Sequence, residues 1–282
     1  MKPFLCFDLT NDKKNSVPNG EEFIAVKPSF ASSQSLEDSK SDANEKLEQS
    51  KLPKPLRILQ TICGFAGFIA LVGFLRSTAT LSEAYQNAPF IFWIIAVCLP
   101  VWFVLLMLGL YRKKKVLSTE ESIHALESLE GRVDAIYSEL GVPENSRDAD
   151  ILTFFYKTKG DKIKICSKGT QIAPYLNPVY KVFADCENLY IVELGAKYAI
   201  PLNSIKGIRT VKKHIRIAKW NKEAVFNKGI YQQYKMNTDQ YGSIHCGYYH
   251  IMEFECDGEA WEMYIPCYEL PLFERLTGVK AQ

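Results

Sequence analysis

Two long stretches without a single charge limit what this chain can fold into. Ile58 to Leu75, eighteen residues, hold only Gln60 and Thr61 as clearly polar side chains, and Ala88 to Leu110, twenty-three residues, are uncharged throughout. A hydrocarbon layer of about 30 Å takes roughly twenty helical residues to cross, so both stretches read as membrane-spanning helices. The alternative is a pair of helices buried in a soluble core, where uncharged runs of this length are uncommon. The first stretch follows a long polar segment, which argues against a cleaved signal sequence. Average composition hides all of this. A chain that is 47% apolar and 23% charged, with a net charge of +2, has the averages of an ordinary soluble protein.

Flanking charge predicts the orientation. Lys51, Lys54 and Arg57 precede the first span and Arg112, Lys113, Lys114 and Lys115 follow the second, while Ser77 to Asn87 carries only Glu83. Basic residues stay on the cytoplasmic side, so the expectation is a multi-pass protein integral to the cell membrane with both termini cytoplasmic. Residues 57–76 and 88–111 then cross the bilayer and 77–87 form an external loop. Cys63 and Gly67, and Ala66 and Ala70, are small pairs four residues apart, with Gly73 extending the face. Such a face admits a close helix neighbour, either the second span or a second copy of the chain. Pro100 marks a kink, and Trp102 is too central to serve only at the membrane interface. Neither block holds an ionisable residue, which disfavours an ion or proton pathway.

The first 56 residues read as a cytoplasmic tail, largely disordered. Ser32 to Pro55 is rich in Ser, Glu, Asp, Lys and Gln and has too little apolar surface to order itself. Phe4–Leu9 and Phe23–Val26 are short strand candidates that either add an edge to the cytoplasmic domain or stay unstructured.

Residues 112–149 form a basic juxtamembrane stretch and an amphipathic helix. Ser118-Thr119-Glu120-Glu121 resembles a capping box, and Ile123, Leu126, Leu129, Val133, Ile136, Tyr137 and Leu140 make one apolar stripe, suited to packing against the domain. Gly141 and Pro143 stop the helix. From 150 to 282 the period becomes two. Ile151–Tyr156 and Lys162–Ser167 flank a Lys159-Gly160-Asp161 turn, and Tyr180–Ala184 and Leu189–Leu194 follow. A type II′ turn at Gly195-Ala196 would set Ile191 opposite Ile200 and Val192 opposite Ala199. A type I′ turn at Asp257-Gly258 pairs Phe254 with Trp261, Met252 with Met263 and His250 with Ile265, all on one face. The same register sets Glu253 against Glu262, which calls for a basic neighbour or a longer loop. Pro271 and Gly278 bracket a closing helix with Leu272, Phe273 and Leu276.

Together these elements predict a transmembrane hairpin plus an α+β domain. The strand Leu189-Tyr190-Ile191-Val192, the segment Ala199 to Ile205, and the last hairpin running into Leu270–Gly278 resemble the pleckstrin-homology-like (PH-like) domains of bacterial two-span membrane proteins. The resemblance covers roughly residues 150–280 and implies an antiparallel barrel or sandwich with a C-terminal helix. It also implies a binding or scaffolding module rather than an enzyme. The long stretch Lys222–Ser243 departs from the compact pattern.

Chemistry is sparse. Cys6, Cys166, Cys186, Cys246, Cys256 and Cys267 fall on the expected cytoplasmic side and Cys63 and Cys98 in the spans, so free and mostly buried thiols are expected. His245, Cys246, His250, Cys256 and Cys267 form the nearest metal-like cluster. Strand alternation places Cys246, His250 and Cys256 on one face but far apart along it, which speaks against a zinc site. Phosphate-loop, dinucleotide, nucleophile-elbow and zinc-protease motifs are absent from the sequence. No catalytic residue, cofactor or metal ligand is therefore assigned.

One charge pattern stands out. Lys206, Arg209, Lys212, Lys213, Arg216, Lys219 and Lys222, with His214, occupy 206–222 without one acid. With Val211, Ile215 and Ile217 inward, Lys212, His214 and Arg216 point outward. The plain reading is an edge strand guarded against aggregation. The functional reading is an anionic-ligand site at Lys212, His214, Arg216 and Lys219 that meets lipid headgroups beneath a negatively charged leaflet. Nucleic acid is not expected, because residues from Val116 onward count 20 basic against 22 acidic side chains. The expected function is a membrane-anchored cytoplasmic module for a protein or anionic-lipid partner. The alternatives are an anchored enzyme or metal sensor using His245 to Cys267, and a structural subunit of a larger membrane complex.

Overall fold

The structure, a computed structural model, describes residues 1–11, 17–76, 86, 89–160, 162–166, 179–218, 233–234, 236–238 and 243–282. The expected external loop 77–87 (save residue 86), Lys219 and most of Lys222–Ser243 lie outside the described residues. The chain divides into two units, one of Phe30–Asp134 and one that joins Met1–Ser29 to Ala135–Gln282.

The helical unit contains α1 (Phe30–Ser50), α2 (Lys54–Arg76), α3 (Pro89–Leu117) and most of α4 (Glu120–Glu139). α2 and α3 are long and apolar enough to cross a membrane. They pack along the small-residue face of α2, where Cys63 and Gly67 are buried. A Cβ on Gly67 would stand 2.7 Å from Leu99, and one on Gly64 would stand 2.8 Å from the Trp102 ring. Glycine is what lets the helices approach this closely, and Trp102 is central because it lies over Gly64. Gly73, expected to extend the face, has nothing within 4 Å. The remaining surfaces stay open. Only 17% of the most apolar window of α2 and 6% of that of α3 is buried, which is not how a core helix of a soluble protein looks.

α1 corrects the expectation of a disordered tether over Ser32–Pro55. Its charges pair along the helix, with Gln34 donating to Asp38 (3.0 Å), Lys40 to Glu37 (2.7 Å) and Gln49 to Glu45 (3.0 Å). Leu36, Ala43 and Ser50, seven residues apart, are buried in a helix that packs on α3, and Lys46 bonds Glu121 of α4 at 2.6 Å. Composition counts apolar side chains, whereas here a narrow stripe of small ones is enough because neighbours cover it. α4 is capped one residue later than expected, the Ser122 N–H donating to the Thr119 hydroxyl at 3.4 Å. Its apolar stripe is buried only at the C-terminal end, at Ile136 and Leu140, while Ile123 and Leu126 remain 44% and 40% exposed.

Among the described residues the sheet unit is built from four sheets. β1 (Lys2–Pro3), β15 (Glu259–Pro266), β14 (Tyr249–Cys256) and β10 (Ile205–Val211) form one sheet in that order. β3 (Ile24–Val26), β9 (Ala196–Pro201), β8 (Asn188–Glu193), β7 (Val179–Ala184) and β4 (Arg147–Asp150) form a second. Two three-stranded sheets complete the unit: β2 (Phe7–Asp8), β5 (Phe155–Lys159) and β6 (Lys162–Ile165), and β11 (Ile215–Ala218), β13 (Ser243–Cys246) and β12 (Asn237–Thr238). β14 is buried on both sides. Met252 and Phe254 enter a core with Trp261, Met263, Leu189, Ile191, Ile200 and Phe273 of α5 (Leu270–Thr277). Tyr249 and Ile251 enter a second core with Tyr264, Tyr156, Ile215, Ile217 and Ile244. The sheets are open and mixed, with β1–β15 and β2–β5 parallel, whereas the resemblance implied a wholly antiparallel barrel or sandwich.

The N-terminal segment belongs to this unit and is neither a free tail nor a single added edge. β1, β2 and β3 pair with β15, β5 and β9. Phe4 and Phe23 sit with their rings edge-on, 5.4 Å apart, and Phe23 stands 5.2 Å from Trp261 and 5.4 Å from Phe254. Gly20, at φ 113°, closes the loop between them, and a Cβ there would fall 2.4 Å from the Phe4 ring. The expected domain boundary at 150 therefore leaves out part of its own core.

The last hairpin keeps the expected register, Phe254 facing Trp261 and Met252 facing Met263, through Asp257 and Gly258 at φ 50° and 76°. Glu253 does face Glu262, and the basic neighbour is Arg209, which bonds Glu253 and, at 2.8 Å, Glu262. The β8–β9 hairpin differs from expectation by two residues. It turns at Leu194-Gly195, so Ile191 faces Tyr198 and Val192 faces Lys197, because Ala196 is buried and belongs to the strand. The Ile151–Tyr156 strand begins only at Phe155, with Leu152 making a single bridge to Tyr264. α5 ends as expected, with Gly278 at φ 71° donating to the Glu274 carbonyl.

Phe4→Ala should cost the sheet unit about 3–5 kcal/mol, the range for emptying a buried aromatic site. Denaturant unfolding of the full chain in detergent measures this, and a loss below about 1 kcal/mol would place Phe4 outside the core.

Candidate anionic-ligand surface

β11 pairs with β13 through Ile215–Cys246, Arg216–His245 and Ile217–Ile244, and it lies at the end of its sheet. Alternation does the sorting. Ile215 and Ile217 are buried in the second core, while Lys212, His214 and Arg216 are exposed as alternation predicts; Lys213, of the inward parity, is also exposed because it lies in the bend before the strand. The chain reaches β11 from β10 through a tight bend in which the Lys213 N–H donates to the Val211 carbonyl at 2.9 Å.

The register adds a residue that sequence reasoning had assigned elsewhere. His245 shares the outer face with Arg216 and His214, its Nδ1 lying 3.3 Å from His214 Nε2. The imidazole planes are tilted by 44° at a centroid separation of 5.2 Å. Residues 218 and 243 are too far apart in the sequence for a hairpin rule to apply, so the strand pairing is what discloses this neighbour. The backbone of β12 then pairs Asn237 with His245.

Lys206 and Arg209 of the expected run pair with carboxylates. Lys206 pairs with Glu255 at 3.2 Å, and Arg209 is held between Glu253 and Glu262. Lys212, Lys213, His214 and Arg216 remain exposed, on a stretch that carries no acid from 206 to 222. Exposed cations in water contribute little to each other, but near an anionic surface each contributes about 1 kcal/mol, decreasing with salt.

The His/Cys cluster does not converge. His245 lies on the outer face, whereas Cys246 and Cys267 are buried together in the second core. The Cys246 thiol is pushed up, first by the hydrogen bond it shares with Cys267 and then by burial, which keeps it protonated. His250 lies on the opposite side of the β14 backbone, with Nδ1 3.1 Å from the Thr210 hydroxyl. Cys256 is half-buried beside Asp257. Among the described residues no group of three His, Cys, Asp or Glu side chains is placed to hold a metal ion. A cleft of about 880 Å³ opens elsewhere in this unit, between the N-terminal strands and the β5–β6 hairpin. Asp8, Glu21, Glu22 and Glu262 line it against Lys2, so it does not extend the basic surface.

Comparison with known proteins leaves this surface to be judged on its own geometry: no family model, no curated protein and no solved structure matches the chain.

His250 generates a pH dependence. Burial holds its pKa below the ordinary imidazole value, with Glu274 pulling weakly the other way. The unfolded chain takes up this proton near pH 6.5, the folded chain only at lower pH, so stability falls as pH drops below about 6.5. The slope reaches at most about 1.4 kcal/mol per pH unit for one group. His250→Gln should flatten that part of the stability profile between about pH 7 and pH 5; an unchanged slope would assign it to other groups.

Proposed function

We propose that this chain is an integral membrane protein whose sheet unit serves as a cytoplasmic binding module, with the basic edge of β11 facing anionic phosphate headgroups. The carrying observation is the arrangement of the chain around its two apolar helices. Residues up to Ser29 and residues from Ala135 onward fold as one unit, while the segment between them supplies the helices. If α2 and α3 cross a bilayer, both flanks must emerge on the same side, and an even number of crossings satisfies this. The wide exposure of the apolar faces supports insertion, because such surface in water is strongly unfavourable. Lys51, Lys54, Arg57 and Arg112 to Lys115 make that side the cytoplasm.

The packing of two sheets closed by α5 supports a PH-like reading of the module, with the N-terminal strands as an addition to it. Edge protection and ligand binding are compatible uses of the same cations. The metal-sensor alternative has lost its ligand set, since His245, His250 and the Cys246–Cys267 pair point to different places.

Reporters placed before Met1 and after Gln282 should both read cytoplasmic, and one inserted in 77–87 should read external; a cytoplasmic loop signal would contradict the topology. For the ligand, full-length protein held in phosphatidylcholine nanodiscs should float with phosphatidylglycerol vesicles at low salt and release at high salt. Lys212→Ser with Arg216→Ser should weaken this by about 2 kcal/mol, roughly thirtyfold. Equal binding to neutral vesicles would contradict the anionic-headgroup reading.

A further inference from the structure

We propose that Val279–Gln282 is a proton-operated strap across the outer edge of β10, released when His250 beside it becomes cationic. β10 is an end strand of its sheet, and the strap covers the edge this leaves. Ala281 bridges Ile208 in parallel, the Gln282 N–H donates to the Ile208 carbonyl at 2.9 Å, and the Thr210 N–H donates to the Gln282 carbonyl at 3.2 Å. Glu274 of α5 supplies a further anchor. Its Oε1 accepts from the Ala281 N–H at 2.9 Å and its Oε2 from Lys280 Nζ at 3.3 Å. Val279 and Ala281 are partly buried against the first core.

His250 stands opposite Thr210 in the β10–β14 register and is 3% exposed. Its Nδ1 lies 3.1 Å from the Thr210 hydroxyl, and its Nε2 is the one fully buried side-chain nitrogen or oxygen among the described residues without a hydrogen-bond partner. A neutral ring bears that vacancy at modest cost, whereas a cationic ring presents a second N–H and a charge. Around it, Tyr248 offers a ring edge and Ile265 faces it from β15, while Arg209 of β10 is held by Glu253 and Glu262. The carboxylate that acts on the ring is Glu274, and both of its oxygens already serve the strap. Turning Glu274 to the imidazolium takes an anchor from Ala281 or Lys280; leaving it in place buries an unpaired charge. Either way the closed strap is disfavoured. β14 is held by ladders to β10 and β15 along its length, so the strap, with its few bonds at the edge, is the part that yields. Opening gives the ring access to water and frees the Thr210 N–H and the Ile208 carbonyl for an extended strand of another molecule.

In the closed form burial holds His250 below the ordinary imidazole range, so proton uptake favours the open form and opening increases as pH falls below about 6.5. Hydrogen exchange of the full chain in detergent, resolved to single amides by mass spectrometry and corrected for the intrinsic effect of pH, measures this. Protection of the Gln282 and Thr210 amides should fall roughly five- to tenfold between about pH 7.5 and pH 5.5. The amides of β14 and β15 should stay far better protected at both values. His250→Gln should abolish the fall at Gln282 and Thr210, and a fall of unchanged size would overturn the assignment to His250. Glu274→Gln should expose the Ala281 amide already at pH 7.5; unchanged protection would overturn Glu274 as the anchor. Free exchange of Gln282 in the parent at pH 7.5 would mean that no strap exists. Loss of strap and β14 protection to the same level would mean that the proton acts on the whole unit, and either result overturns the proposal. These two results are read from the parent alone, so they decide even if circular dichroism shows a variant to be unfolded.

Discussion

Phe4 and Phe23 packed against Phe254 and Trp261 are the contact on which the rest of the architecture depends. Four aromatic rings from opposite ends of the sequence share one core, so the chain cannot complete its sheet unit until both ends have come together. Everything between Phe30 and Asp134 is then an excursion out of a single folded body. This closure is a stronger constraint on topology than any count of flanking lysines, because it holds whichever side of a membrane the unit occupies. In the proposed topology the positive flanks would only choose the side.

The same central sheet distributes charge as well as apolar surface. Glu253 and Glu262 face each other across β14 and β15, a pair that would repel if left alone. Arg209 from β10 neutralises both, and Glu262 also accepts from the Tyr264 hydroxyl at 2.6 Å. Arg209 is thereby taken out of the basic run to which its sequence position assigns it. Lys212, Lys213 and Arg216 lie beyond β10, where the chain turns to the edge and the sequence carries no acid up to Lys222.

Local rules were legible wherever a single residue type decides the outcome. Asp257-Gly258 determines the β14–β15 register, Gly278 ends α5, and uncharged length identifies α2 and α3. Alternation also placed Ile215 and Ile217 inside and Lys212, His214 and Arg216 outside. Long-range pairing was not legible. β1, β2 and β3 are only two or three residues long, and their stability comes from partners more than a hundred residues away. β4, Arg147–Asp150, has the charged composition of a loop and is a strand because β7 pairs with it. α1 has the composition of a disordered linker and is ordered by the helices beside it. The His214–His245 contact belongs to the same class. Its two residues are 31 apart in the sequence and meet through the β11–β13 pairing.

The dependence of the sheet unit on its N-terminal strands can be measured by cutting the covalent link and asking what still holds. A protease site placed between Val26 and Phe30 of the full chain, cleaved in mild detergent, leaves residues 1–26 attached only through β1, β2, β3 and the aromatic core. The account predicts that this fragment co-elutes with the remainder and is released in the same transition that unfolds β14 and β15. Release of the fragment under native conditions, with the unfolding of the remainder unchanged, would contradict it.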